Sequence, residues 1–158
     1  MGPRLTNYPV DTSVRQSAVT QAARVKALGK VPMFEDLSKR NLTKIAKLST
    51  VKKTHKDEIL VVEGQKGSEL MVVLDGRAVV RRGKRKLGEL GPGEVFGEMA
   101  LLDDEPRSAT VTALEPMRLL AVSGPAFRKL LPVVPALTEA VLAGLSKRLR
   151  AANAIADH

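Results

Sequence analysis

Hydrophobic and polar positions follow two different patterns along this 158-residue chain. The first 13 residues read as irregular, whereas residues 14–28 and residues 39–48 are each typical of a helix. Gly29 suits the C-cap of the first helix, and Ser38 suits the N-cap of the second. The pattern therefore predicts two helices in the first third of the chain. The buried face of the second is predicted to carry Leu42, Ile45, Ala46 and Leu48.

The middle of the chain changes to short runs rich in Val and Leu, which are separated by glycines. Several short strands at close spacing predict an antiparallel sandwich or barrel, not a fold of alternating strands and helices. Asp75-Gly76 predicts a tight hairpin, and Pro92-Gly93 suits the central positions of a type II turn. The predicted strands cover residues 58–62, 70–74, 77–82, 108–114 and 117–122.

Helical spacing returns near the C-terminus. Residues 125–131 predict a short helix, and Pro135 suits the first position of a longer one that reaches about Ala152. An apolar stripe along the longer helix predicts packing against the β core or a partner helix. The stripe consists of Leu137, Val141, Leu145 and Leu149.

The predicted fold class is mainly β with flanking α: an antiparallel β-roll or jelly-roll sandwich, with N-terminal helices and a C-terminal helix. We expect a helical extension over residues 1–30, the β-roll over residues 31–123 and a C-terminal helical segment over residues 124–158.

Composition excludes several kinds of site. The absence of cysteine excludes disulfides, thiolate metal sites and a cysteine nucleophile. Two histidines, His55 and His158, do not suffice for a histidine metal cluster. Aromatic residues make up 3% of the chain, which disfavours stacking of single-stranded nucleic acid. The chain has no apolar stretch near the ~20 residues of a membrane span and no apolar signal segment, so we expect a cytoplasmic protein.

The net charge of +9 is unevenly distributed. Residues 1–60 hold twelve basic and five acidic residues, residues 61–124 hold nine and ten, and residues 125–158 hold five and two. Within the nearly neutral middle lies one basic run, RRGKRK, at residues 81–86. Two interpretations stay open: a solvated hairpin turn, or a contact for a phosphate backbone or acidic lipids.

The segment GPGEVFGEMALLDDEPRSATVT, residues 91–112, carries the candidate chemistry. Its glycines at positions 91, 93 and 97 are spaced one residue too far apart for a dinucleotide-binding fingerprint. The phosphate-binding loop of nucleotide triphosphatases is excluded as well, because no Gly-Lys-Ser/Thr sequence is present.

The same segment has the features of a ribose-phosphate site. Gly97 lets the backbone approach a ligand closely, and residues 98–102 can form one helical turn whose free amides face an anion. Arg107 supplies a forked cation suited to phosphate oxygens, and Ser108 adds a hydroxyl. Glu98 would repel a phosphate, so we expect it to accept from a neutral donor such as a ribose hydroxyl.

FGEMALL followed by PRSAT closely resembles the phosphate-binding cassette of cyclic nucleotide-binding domains. This family includes the regulatory subunits of cAMP-dependent protein kinase, cyclic-nucleotide-gated channels and bacterial catabolite activators. The resemblance extends over residues 31–150, because VPMF, EGQKGSELMVVLDGRAVV and LGPGEVFGE also look like elements of the family's β-roll.

The resemblance implies roles for individual residues. Glu98 would bind the ribose 2′-hydroxyl, and Arg107 would pair with the equatorial phosphate oxygen, helped by amides around Ala100 and Ser108. Gly97 would admit the ligand. The alternative is that Glu98 and Arg107 form only an ion pair beside a turn. The implied ligand-binding residues are Phe96, Gly97, Glu98, Met99, Ala100, Arg107, Ser108 and Ala109, with Val80 and Leu87 against the base and Asn153 as its cap.

The resemblance favours cAMP as the ligand and leaves cGMP as the alternative. In the family, Thr after the arginine tends to accompany cGMP and Ala often accompanies cAMP. Ser108 at this position matches some cAMP-binding bacterial members, yet it could also donate to guanine. The resemblance further implies that the ligand repositions the C-terminal segment, residues 124–158, which would act as a lid or hinge.

These expectations describe a non-enzymatic receptor or regulatory domain, either stand-alone or part of a larger chain. It would need no cofactor or metal and would act on an unknown effector protein, with a homodimer as a further expectation. No helix-turn-helix follows the last helix, so sequence-specific DNA binding is not expected. Two other classes of function are the alternatives. One is a basic protein that binds nucleic acid or an acidic surface; the other is a metal enzyme such as a cupin, for which histidines are lacking.

Overall fold

The computed structural model describes residues 18–156, with side chains described up to residue 153. Three sequence predictions lie outside these residues: the irregular segment over residues 1–13, the first turn of the helix predicted from residue 14, and the placement of His158.

Two short helices and one turn of 3-10 helix precede the sheets. Helix α1, Gln21–Leu28, begins later than predicted because the Thr20 side chain caps it by accepting from the Ala23 amide. Gly29 is its C-cap, as predicted. The 3-10 helix Pro32–Phe34 leads to α2, Lys39–Ala46.

Helix α2 confirms most of its sequence prediction. Ser38 is its N-cap and accepts from the Asn41 amide at 3.2 Å. Leu42, Ile45 and Ala46 are buried as expected, whereas Leu48 lies beyond the helix end and is half-buried.

Eight strands in residues 18–156 form two antiparallel four-stranded sheets, which confirms the predicted β-roll sandwich. One sheet has the order β1-β8-β3-β6 and the other the order β2-β7-β4-β5. The strands are β1 (Thr50–Thr54), β2 (Ile59–Val61), β3 (Glu69–Asp75), β4 (Ala78–Arg82), β5 (Arg85–Leu90), β6 (Val95–Phe96), β7 (Thr110–Ala113) and β8 (Met117–Ser123).

Three of these strands, β1, β5 and β6, are absent from the sequence prediction. All three lie at the edge of a sheet. Edge strands face water and carry polar side chains, so TVKKT and RKLGEL lack the apolar run by which the central strands are recognised. Strand β6 has only two residues, too few for any periodicity.

The tight hairpin predicted at Asp75-Gly76 is wrong. Strands β3 and β4 belong to different sheets, so this turn carries the chain from one sheet to the other. Gly76 adopts a φ of 89°, and a Cβ there would lie 2.5 Å from the Pro116 carbonyl oxygen. The tight hairpin joins β4 to β5 instead, with Arg82 directly opposite Arg85.

The type II turn at Pro92-Gly93 is confirmed. The Glu94 amide donates to the Gly91 carbonyl at 3.0 Å, and Gly93 has the positive φ, 86°, that this turn requires at its third position.

Strands β3 and β8 are buried on both faces, and they separate two apolar cores. Leu70, Val72 and Leu120 face the helices, whereas Met71, Val73 and Leu119 lie between the two sheets. Because both faces of these strands are buried, their sequences are nearly continuous apolar runs, with no alternation.

The chain ends in helices α3, Gly124–Leu130, and α4, Pro135–Ala156, and Pro135 opens the latter as predicted. The apolar stripe predicted on α4 packs over its first half only. Leu137 and Val141 are buried and Leu145 is half-buried, but Leu149 is 63% exposed.

No single helix in residues 18–156 has both the length and the apolar character to cross a membrane. The two helical segments Gly124–Leu130 and Pro135–Asn153 would together have the length and apolar composition of a membrane span, but they are bent by 118° relative to each other.

The ring contact between Phe34 and Phe127 gives a direct test of this fold. Both side chains are fully buried, with ring centroids 5.6 Å apart. Phe127→Ala removes the aromatic ring by which α3 packs into the core. It should lower the free energy of unfolding by about 3–5 kcal/mol, measured by urea denaturation. Lys129→Ala, at an exposed position of α3, is the control and should change it by less than about 0.5 kcal/mol. Equal effects of the two substitutions would contradict the described packing.

Candidate functional site

A cavity of about 750 Å³ opens beside the second 3-10 helix, Glu98–Leu101. Its walls also include β4, β6, β7, the segment that follows the 3-10 helix, and one residue of α4. The structure brings nine of the predicted ligand-binding residues to this cavity: Val80, Phe96, Gly97, Glu98, Met99, Ala100, Arg107, Ser108 and Ala109.

Arg107 is fixed in the cavity wall through both its backbone and its side chain. Its amide donates to the Gln65 carbonyl and its carbonyl accepts from the Gly64 amide, each at 2.8 Å. On the guanidinium, Nη2 donates to the Glu69 carbonyl oxygen at 2.9 Å. The loop between β2 and β3 therefore sets the position of the cation.

The guanidinium of Arg107 is only partly satisfied within the protein. Its Nε is buried and has no hydrogen-bond partner among the described residues. Burial lowers the pKa of Arg107 from its usual value, because desolvation disfavours the charged form; the nearby Glu69 charge acts in the opposite direction. A desolvated cation with an unused donor is suited to an anionic ligand.

Two glycines make room for this arginine. A Cβ at Gly67 or at Gly97 would overlap the Arg107 guanidinium, and at Gly97 it would also lie 2.5 Å from the Glu69 carbonyl oxygen. Gly97 also has a φ of 76°. The sequence prediction included Gly97 but missed Gly67. The available signal was the second glycine of EGQKGSE, directly ahead of a strand.

Glu98 has both carboxylate oxygens engaged. Oε2 accepts from the Met33 amide at 2.8 Å, and Oε1 forms an ion pair with Arg148 of α4. The Glu98 side chain is only 10% exposed. The alternative, an ion pair between Glu98 and Arg107, does not occur: the ion-pair partner of Glu98 is Arg148.

One expected phosphate donor is already used. The Ala100 amide donates to the Gly97 carbonyl at 3.0 Å, because residues 98–101 close as a 3-10 turn. The Ala100 amide itself is therefore not free in this conformation. Ser108 is exposed at the cavity, and its own carbonyl accepts from Arg82 Nε at 3.0 Å.

Two predicted contacts with the base, Leu87 and Asn153, are not in the cavity wall. A register shift between Val80 and Arg81 places Gly88 opposite Val80, and the neighbouring Leu87 is 43% exposed. Asn153 is exposed because α4 meets the cavity at Arg148, five residues earlier in the chain, or roughly 7.5 Å along a helix. Leu90 and Val61 supply apolar surface where Leu87 was expected.

The sequence prediction missed two cations of the cavity wall, Lys30 and Arg148. Both come from segments far from the cassette in sequence. Near Lys30, Gly93 leaves space that a side chain would take, because a Cβ there would lie 3.1 Å from the lysine Nζ. No local motif marks either cation, since only the tertiary fold brings them to the cavity.

The two C-terminal helices are attached to the cavity wall and to the segment beside it. Arg128 of α3 donates to the Leu101 carbonyl at 3.0 Å and lies 3.5 Å from an Asp104 carboxylate oxygen. Lys147 of α4 pairs with Glu35 and Asp36, which raises the pKa of this lysine. Contacts of charged side chains thus connect α3 to the second 3-10 helix and α4 to the segment that follows the first 3-10 helix.

Nothing in the described part of the chain groups three His, Cys, Asp or Glu side chains around a metal-sized site. His55 is exposed and lies 3.3 Å from the Glu58 carboxylate.

Comparison with known proteins agrees with this geometry. A model of the cyclic nucleotide-binding domain matches residues 51–132. The N-terminal domain of a transcriptional regulator from Streptomyces coelicolor A3(2) is similar in structure, with a TM-score of 0.76, 30% identity, and coverage of 82% of this chain and 94% of that one.

Two curated proteins share part of the sequence. The cAMP-dependent protein kinase regulatory subunit of Mycosarcoma maydis is 34% identical over 131 residues, 77% of this chain and 24% of that protein. The cGMP-dependent protein kinase of Eimeria tenella is 40% identical over 89 residues, 56% of this chain and 9% of that protein. The chain thus spans a quarter or less of these relatives. With its β-roll, its cassette and the matching family model, the chain belongs to the cyclic nucleotide-binding domain family.

Proposed function

We propose that this chain is a cyclic nucleotide receptor that binds cAMP in the cavity beside Glu98–Leu101, with cGMP as a second ligand. The observation that carries this proposal is the half-buried Arg107, whose guanidinium has a buried Nε without a partner and lies in the cavity wall close to Glu98. The Arg107 cation and the Glu98 carboxylate, on the same wall, would match the phosphate and the ribose of a single cyclic nucleotide.

The cavity offers three contacts, one each for the phosphate, the ribose and the purine of the ligand. The phosphate would take the Arg107 guanidinium, since a desolvated arginine holds an anion more strongly than an exposed one does. The ribose 2′-hydroxyl would donate to Glu98. The purine would lie against the apolar wall at Val61, Val80 and Leu90.

The choice of cAMP over cGMP rests on Ser108, which follows Arg107 at the edge of the cavity. Family members with this serine include cAMP receptors. The names of the two curated relatives contain cAMP and cGMP respectively, so the proposal keeps both ligands and ranks cAMP first.

Ligand binding would reposition α4 through Glu98. A ribose hydroxyl that donates to this carboxylate competes with Arg148, which already holds Oε1. Occupancy of the site therefore disfavours the observed position of α4, and by reciprocity that position weakens ligand binding. The coupling is a direct competition of two donors for one nearly buried acceptor.

Such a receptor would have a regulatory and not a catalytic role. It would act in the cytoplasm on an effector protein. Helix α4 also supports a homodimer, because Leu142 and Leu149 are 61% and 63% exposed and lie two helical turns apart.

Removal of Arg107 tests the site. Arg107→Ala should weaken cAMP binding by about tenfold or more in isothermal calorimetry, because a charge-assisted phosphate contact contributes about 1.5–3 kcal/mol. Arg77→Ala, at an exposed arginine of the loop before β4, is the matched control and should bind cAMP with the affinity of the wild type. Unchanged affinity in the Arg107 variant would refute the assigned site.

Removal of Arg148 tests the competition for Glu98. Arg148→Gln leaves a nearly buried carboxylate with one partner fewer, so affinity for cAMP should rise by about fivefold or more. Affinity for 2′-deoxy-cAMP, which cannot donate to Glu98, should change much less. Arg150→Gln, which removes an exposed cation of α4 near Arg148, is the control and should leave the affinity unchanged. A fall in affinity, or an equal change for both nucleotides, would show that Arg148 does not compete with the ribose.

A further inference from the structure

The tip of the β4–β5 hairpin carries the densest positive charge in the chain. Five of its six residues, Arg81 to Lys86, are Arg or Lys, and all six are exposed. The tip is closed by two residues, Gly83 and Lys84, and Gly83 takes a φ of 60°. These six residues are called the basic tip below.

The basic tip places like charges directly opposite one another. Arg81 faces Lys86 across the two strands, and Arg82 faces Arg85. Directly opposed residues of an antiparallel pair share a face of the sheet, and like charges there are destabilising. The arrangement therefore opposes folding of the hairpin, and packing within the chain gives no reason for it.

Contacts within the described chain neutralise only part of this charge. Lys86 pairs with Glu89, and Arg82 Nε donates to the Ser108 carbonyl. The second nearby carboxylate, Glu63, accepts from the backbone amide of Gly83. For the other three cations of the tip, no ion pair forms within residues 18–156; they are Arg81, Lys84 and Arg85.

The two cation pairs lie on opposite faces of the ribbon. Neighbouring residues of a strand point to opposite sides, so Arg81 and Lys86 face one way and Arg82 and Arg85 the other. A flat anionic surface such as a membrane reaches one face only. A groove with phosphates on both walls reaches both.

We infer that the basic tip binds the phosphate backbone of duplex DNA without sequence specificity. A two-stranded ribbon fits the major groove of B-form DNA, which is about 12 Å wide, whereas the major groove of duplex RNA is too narrow. Three of the five cations are arginines, whose forked donors suit phosphate oxygens. The tip has no aromatic side chain on which single-stranded bases would stack.

This surface goes beyond the proposed function and does not depend on it. Arg81, Lys84 and Arg85 are not in the wall of the nucleotide cavity. DNA binding and cyclic nucleotide binding therefore succeed or fail separately.

The test compares two triple variants of the full chain. Arg81→Gln/Lys84→Gln/Arg85→Gln removes the cations of the tip that have no ion pair; Lys39→Gln/Arg40→Gln/Lys47→Gln removes three exposed charges at α2. Binding to a DNA duplex of about 20 base pairs is measured by fluorescence anisotropy between about 50 and 200 mM salt. The tip variant should bind about tenfold or more weakly, with a salt slope shallower by about 2–3. The α2 variant should keep the wild-type slope.

Thermal melting separates this result from misfolding. Removal of opposed like charges should leave the tip variant at least as stable as the wild type. Equal losses in both triple variants would show that net charge alone drives binding and would overturn the inference. So would absence of duplex binding, tighter binding to a single strand of the same sequence, or tighter binding to phosphatidylserine vesicles.

Discussion

Ser68, which precedes β3, and Glu69, the first residue of β3, connect the cavity wall to the C-terminal helices. The Ser68 carbonyl accepts from the amide of Gly124, the first residue of α3, and the Glu69 carbonyl accepts from Arg107. Gly124 has no side chain at a point where a Cβ would lie 2.6 Å from the Ala100 carbonyl oxygen. Since β3 is buried on both faces, this junction cannot shift without disturbing both apolar cores. The cassette and the helix that leaves the sheet thus share one rigid support.

Beside this junction, Glu98 connects three parts of the chain. Its carboxylate joins the 3-10 turn to Met33 through a backbone amide and to α4 through Arg148. A charged group with only 10% exposure needs partners, and these two contacts supply one for each carboxylate oxygen. The Met33 amide belongs to a segment packed in the core, whereas the Arg148 side chain is half-exposed. Of the two partners of Glu98, Arg148 is thus the one at the surface, and it connects α4 to the second 3-10 helix.

The features that the sequence predicts correctly are those determined by residues close to one another along the chain. Central strands, caps and the cassette residues from Phe96 to Ala109 were found because their signals lie within a few residues of one another. Edge strands β1 and β5 were missed because their polar composition matches that of loops. Leu87 and Asn153 were misplaced because a strand bulge and the path of a long helix decide which residue reaches the cavity. Arg148 could not be predicted, since its partner Glu98 lies 50 residues away in sequence.

The cations behind the net charge of +9 differ in their burial, and burial decides which kind of anion each could bind. An exposed cation is screened by salt, so the basic tip gains affinity for a polyanion only by acting with several charges at once. Arg107 is half-buried beside low-dielectric walls, where a single charge interacts with an anion more strongly than it does in water. Burial of a single arginine therefore favours a small anion. Several exposed cations at suitable spacing favour a polyanion. The net charge of residues 61–124 reveals neither cluster of cations, because the acidic residues of this segment balance the basic ones in number. The two kinds of residue nevertheless lie at different places in the structure.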